Sequence, residues 1–169
     1  VNNGTLVVSK NGVGASQIIG ILDNGGIVGG ITNNNEILVA GTGTAAASFI
    51  GVQQNGTHAD FTNTGLVKVT GGGAAAYVGV SQNATGTSAI EASITNSATG
   101  SIKVDVATTA SGGIQTGIIQ DANATVGSAS VNMDNSGLIE ISSVATGPIV
   151  PVATATATAF IDSGIHQSV

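Results

Sequence analysis

Phe61-Thr62-Asn63-Thr64-Gly65-Leu66-Val67-Lys68-Val69 is the stretch that decides how this chain folds. It contains an apolar–polar–Asn step, a two-residue turn and a short alternating strand with Val67 and Val69 on one face. The same step recurs as Val1-Asn2-Asn3, Ile31-Thr32-Asn33, Ile94-Thr95-Asn96 and Met133-Asp134-Asn135, at successive intervals of 30, 30, 33 and 39 residues. Each copy leads into an alternating strand: Leu6 and Val8, Ile37 and Val39, Val67 and Val69, Ile102 and Val104, Ile139 and Ile141.

A second marker sits inside each interval. It reads Gly20-Ile21-Leu22-Asp23, Gly51-Val52-Gln53-Gln54, Gly79-Val80-Ser81-Gln82, Gly117-Ile118-Ile119-Gln120 and Gly164-Ile165-His166-Gln167. Five copies of two markers in constant order define a repeat with units of about 1–30, 31–60, 61–93, 94–132 and 133–169. Each unit holds three short strands, the last of which ends in the Asn step. Units this small cannot bury their own apolar face, so they stack. The expected fold is all-β: a single-domain, right-handed parallel β-solenoid of about five coils of roughly 30–39 residues.

The recurrent amides follow from that geometry. An Asn at a coil corner bonds neighbouring backbone, and stacked copies at Asn3, Asn33, Asn63, Asn96 and Asn135 form an amide ladder. Gln54, Gln82, Gln120 and Gln167 form a second ladder, with Asp23 as its odd member. Lys103 and Glu140 fall at equivalent outward positions and are expected to pair. Extra length in the fourth unit falls near 107–115. In the fifth it falls at 147–160, where Pro148 and Pro151 mark a loop at 147–151. The Ala-Thr run at 153–159 reads as an edge strand or flap.

Composition narrows the function. Among 169 residues, 7% are charged and 2% aromatic, against a usual charged share of roughly 25%. The basic residues are Lys10, Lys68 and Lys103, too few to neutralise a run of phosphates, so no nucleic-acid partner is expected. Cys is absent, so no disulfide holds the fold. No apolar stretch reaches the roughly 20 residues of a spanning helix. Val1 in place of an initiating Met points to a processed product or a piece of something longer.

Catalysis by a solenoid needs clustered carboxylates beside basic groups, whereas nine carboxylates are spread here at about two per unit. His58 and Asp60 share a strand face and form the one candidate proton-transfer dyad, better read as a solvated pair. His166 is expected to point outward. Two His and no Cys give no transition-metal site, and no cofactor is expected. Surface calcium is left open with no ligand set to name, since Gly71-Gly72-Gly73 and Gly112-Gly113 lack the Asp of the calcium nonapeptide. Ice binding would need Thr ladders, but Thr154, Thr156 and Thr158 alternate only once.

With both markers in place, the chain resembles the passenger repeats of large autotransporter-type, β-strand-repeat surface proteins of Gram-negative bacteria. Asn63-Thr64-Gly65, Asn135-Ser136-Gly137, Gly117–Gln120 and Gly164–Gln167 carry the resemblance. It implies an exported, non-enzymatic rod or adhesive fibre at the bacterial surface, with no catalytic residue to carry over. The partners expected are cell-surface or matrix components, a continuing stalk of the same chain, or further copies. A subunit that self-assembles into an extracellular filament is the alternative. A polysaccharide-active enzyme and an ice-binding solenoid are the remaining classes.

Overall fold

The computed structural model describes residues 1–11, 14, 16–25, 30–43, 47–73, 75–108, 114–145 and 163–168. These form three parallel sheets and no helix. The first sheet contains β1 (Thr5–Asn11), β4 (Glu36–Gly43), β7 (Leu66–Gly73), β10 (Ser101–Thr108) and β13 (Leu138–Ala145). The second contains β2 (Gln17–Asp23), β5 (Ser48–Gly56), β8 (Ala76–Gly86), β11 (Ile114–Ala124) and β14 (Ser163–Ser168). The third contains β3 (Ile31–Asn33), β6 (His58–Asn63), β9 (Ile90–Asn96) and β12 (Ala129–Asn135). Every strand pairs with the one three places later, so the chain is a parallel β-solenoid of about five coils.

The register is that of the repeat. Ile37, Val67 and Ile102 occupy one inward column of the first sheet, and Val39, Val69 and Val104 the next; all six are fully buried. Phe61 and Ile94 face them from the third sheet. From the second, Phe49 and Tyr77 stack in register with ring centroids 5.2 Å apart and planes within 9°. Fully burying a side chain of this size contributes about 1.5–3 kcal/mol. A thin core of Val and Ile therefore suffices, because each residue is packed by the coils on either side. Burial raises the Tyr77 phenol above its ordinary value, and its proton is donated to the carbonyls of Gly72 (2.5 Å) and Gly41 (3.3 Å).

The glycine of the second marker has a steric cause. A Cβ on Gly51 would lie 2.5 Å from the Gly79 carbonyl oxygen and 2.5 Å from a Val67 methyl. On Gly79 it would lie 2.5 Å from the Gly117 oxygen and 2.7 Å from an Ile102 methyl. The second sheet here approaches the first more closely than any side chain allows.

Insertions leave the register untouched. The Gln column widens from 28 to 38 to 47 residues between coils while the pairing holds. The surplus residues fall in sequence between the described strands β10 and β11 and between β13 and β14. The expected loop at 147–151, the run at 153–159 and the glycines at 112–113 lie outside the described residues.

Replacing Gly79 by Ala is expected to cost about 1–3 kcal/mol through overpacking. The thermal midpoint should then fall by about 2–4 °C per kcal/mol in a chain of this size. Gly4, which has nothing within 4 Å of a built Cβ, is the control and should tolerate Ala. Equal midpoints for the two variants would show that the close approach imposes no constraint.

Candidate functional site: two buried amide ladders

The polar side chains that the fold brings together are the two amide columns. At the corner between the third sheet and the next coil, the Nδ2 of Asn2 donates to the Oδ1 of Asn33 (2.8 Å). Asn33 donates in turn to Asn63 (2.8 Å), Asn63 to Asn96 (2.9 Å) and Asn96 to Asn135 (2.7 Å). The same nitrogens reach backbone carbonyls across the turn, as Asn63 does to Gly65 (3.1 Å) and Ser101 (3.3 Å). Asn33, Asn63 and Asn96 are fully buried. A buried amide with every atom bonded stabilises its turn, whereas an unpaired one is costly.

The ladder begins at Asn2, which corrects the expectation of Asn3. Asn2 bridges to Asn33, so the first step spans 31 residues rather than 30. A slip of one residue along a strand moves a side chain to the opposite face. Asn3 therefore lies outside, where its Oδ1 accepts from Asn34 (2.8 Å) and Asn34 accepts from the Thr64 hydroxyl (3.1 Å).

The second ladder joins the second sheet to the third. Gln82 Nε2 donates to Gln54 Oε1 (2.9 Å), Gln120 to Gln82 (2.9 Å) and Gln167 to Gln120 (2.8 Å). Gln82 also bonds the Ala59 and Ser93 carbonyls, each at 2.9 Å, cross-linking two sheets and two coils. Asp23 is in register with Gln54 at the start of this column. It accepts from the Gly25 N–H (3.0 Å), and Gln54 donates to the Asp60 carbonyl (2.9 Å). The two ladders run in opposite senses: Asn donors point toward later coils, Gln donors toward earlier ones.

On the outward faces, each of several carboxylates is bonded to a polar neighbour one coil away. Lys103 pairs with Glu140 (2.9 Å) and Lys68 with Asp105 (3.9 Å). With Ser142 these four groups line an open cleft of about 150 Å³. Asp60 accepts from the Ser93 hydroxyl (2.5 Å), not from His58, so the supposed dyad is not joined. His58 stands opposite Glu91 of the next coil, and its Nδ1 is buried without a partner. His166 is exposed, in register with Ile119. Among the described residues, no group of three or more His, Cys, Asp or Glu could hold a metal, and no helix is long and apolar enough to cross a membrane.

One buried amide belongs to neither ladder. Gln115 is fully buried in register with Tyr77, and neither its nitrogen nor its oxygen has a partner. Its signal in the sequence is its position, three residues before Ile118 in a column that is aromatic in the two preceding coils. No family model, curated protein or solved structure matches this chain.

Two substitutions should move stability in opposite directions. Asn63→Ala removes four hydrogen bonds at a buried corner, and at about 1 kcal/mol each it should cost about 3–4 kcal/mol. Gln115→Leu removes two unpaired polar atoms and should add about 1–3 kcal/mol. Urea unfolding of both variants checks the pair. A destabilised Gln115→Leu would mean that the amide is bonded in solution.

Proposed function

We propose that this chain is a non-enzymatic structural segment of an extracellular bacterial surface protein, a β-solenoid rod that provides reach and adhesive surface. One observation carries the reading: three sheets and two amide ladders pass through the coils in unbroken register. The buried polar groups are mostly engaged in holding one coil to the next. Such a stack resists extension along its axis through backbone hydrogen bonds and lengthens by simple addition of coils. Resemblance to autotransporter-type repeats supports the bacterial surface as its location, with cell-surface or matrix components as adhesion partners.

A second reading is a subunit that stacks into a filament. Ile165 is 47% exposed, whereas Val52, Val80 and Ile118 in the same column are fully buried.

Antibodies against residues 1–169 should label intact, unpermeabilised cells of the producing bacterium, and deleting the segment should shorten the surface projection and weaken adhesion. Labelling seen only after permeabilisation would overturn the surface reading. In solution, X-ray scattering from the unassociated chain should fit a compact particle rather than a long rod, since five coils at about 4.8 Å each give only about 24 Å of axis.

A further inference from the structure

We infer that Asn24 is a self-modifying site: the Gly25 backbone nitrogen attacks its side chain with Asp23 as the base, and the asparagine becomes aspartate and isoaspartate without an enzyme. The inference stands apart from the rod reading. It rests on three residues at the end of β2 and one in the next coil.

Closing an asparagine onto the backbone nitrogen that follows it takes three things: an unhindered nitrogen, a group to accept its proton, and a donor on the side-chain carbonyl. Asn-Gly supplies the first, because glycine has no Cβ to obstruct a close approach. The chain has this pair at 3–4, 11–12, 24–25 and 55–56. Among the described residues, the pair at 24–25 combines all three. The Gly25 N–H donates to the Asp23 carboxylate at 3.0 Å, within the reach of a general base. The Oδ1 of Asn24 accepts from the Nδ2 of Asn55 at 2.7 Å, a donor placed where negative charge develops as the ring closes. Asn24 lies just past the end of β2 and is exposed to water.

The atoms balance with water as the only other reactant. The Gly25 nitrogen bonds to the Asn24 Cγ as its proton passes to Asp23. The Cγ–Nδ2 bond then breaks, the proton goes to Nδ2, and ammonia leaves. A five-membered succinimide remains. Water adds to one of its two carbonyls and opens the ring, which gives aspartate or isoaspartate at position 24 and one more negative charge beside Asn55.

The other pairs serve as comparisons within the same molecule. At 3–4 the arrangement is repeated with one change. The Gly4 N–H donates to the Oδ1 of Asn2 (3.3 Å), and the Oδ1 of Asn3 accepts from Asn34 (2.8 Å). The group beside the nitrogen is then an amide, which accepts a hydrogen bond but takes no proton at neutral pH. Asn55 and Gly56 lie inside β5, both in register with β8, and the Asn55 amide is the donor to Asn24. At 11–12 the glycine lies outside the described residues.

The test incubates the folded 169-residue chain at neutral pH and follows each Asn-Gly pair by peptide mass spectrometry, with isoaspartate separated by chromatography. Asn24 is expected to convert about tenfold or more faster than Asn3, a small part of what a positioned base contributes, and Asn55 should stay intact. Asp23→Asn keeps the acceptor and removes the base, so it should bring Asn24 down to the rate of Asn3. Circular dichroism checks that this variant keeps its sheets. Gly25→Ala is the second variant and should also slow the reaction. In urea, where these hydrogen bonds are lost, Asn24 and Asn3 of the wild type should convert at one rate. Equal rates in the folded chain, an unchanged rate in folded Asp23→Asn, or an advantage of Asn24 that persists in urea would each overturn the inference.

Discussion

Everything in this solenoid depends on one constraint: each buried amide of the two ladders must find the same amide one coil away. A primary amide carries both donor and acceptor, so identical side chains stacked in parallel register satisfy each other without limit. Asn33, Asn63 and Asn96 do so at 2.8–2.9 Å while fully buried. The arrangement tolerates no slip, because moving one strand by one residue would leave several amides unpaired at once. Apolar columns of Val and Ile are far less selective, since any of them packs acceptably against another. Burial supplies most of the stabilisation, and the ladders specify which residue lies over which.

This division explains how a chain so poor in large side chains keeps a defined core. Two corners of the coil are tied by amides, Asn between the third sheet and the next first-sheet strand, and Gln between the second sheet and the third. Near the remaining corner, the Tyr77 phenol bonds two carbonyls. Between these fixed points the connections are free to vary, and intervals of 28 to 47 residues coexist with unbroken pairing. A rod of this kind can carry different loops on each coil without changing its axis. Directionality follows from the same amides: the two ladders point opposite ways, so the two ends of the stack differ chemically even where their backbones are alike.

Much of this was legible in the residues. The I-x-V strands, the Gly of the second marker and the Asn and Gln three or fewer residues from an apolar anchor recur because each coil repeats one environment. The pairing of Lys103 with Glu140 could be read from spacing alone. Other features could not. Val1-Asn2-Asn3 offers two adjacent amides, and only the bridge to Asn33 shows that the first is the inward one. His58 and Asp60 alternate correctly for a dyad, yet Asp60 bonds Ser93, a partner 33 residues away. Gln115 falls in the stretch read as extra length of the fourth unit, yet it lies in β11, and its burial beside Tyr77 is set by the neighbouring coils.

By itself the sequence determined the repeat, the three-strand unit, the parallel stacking and the membership of the amide columns from Asn33 and Gln54 onward. These are consequences of a local pattern repeated, and a repeated pattern needs no knowledge of distant contacts. The tertiary structure alone decided the direction in which each ladder donates, the face taken by Asn2 and Asn3, the partner of each carboxylate and the closeness of the second sheet to the first. Those depend on which atoms of two coils oppose each other across 4.8 Å or so, and residue identity at one position does not say which way its amide turns.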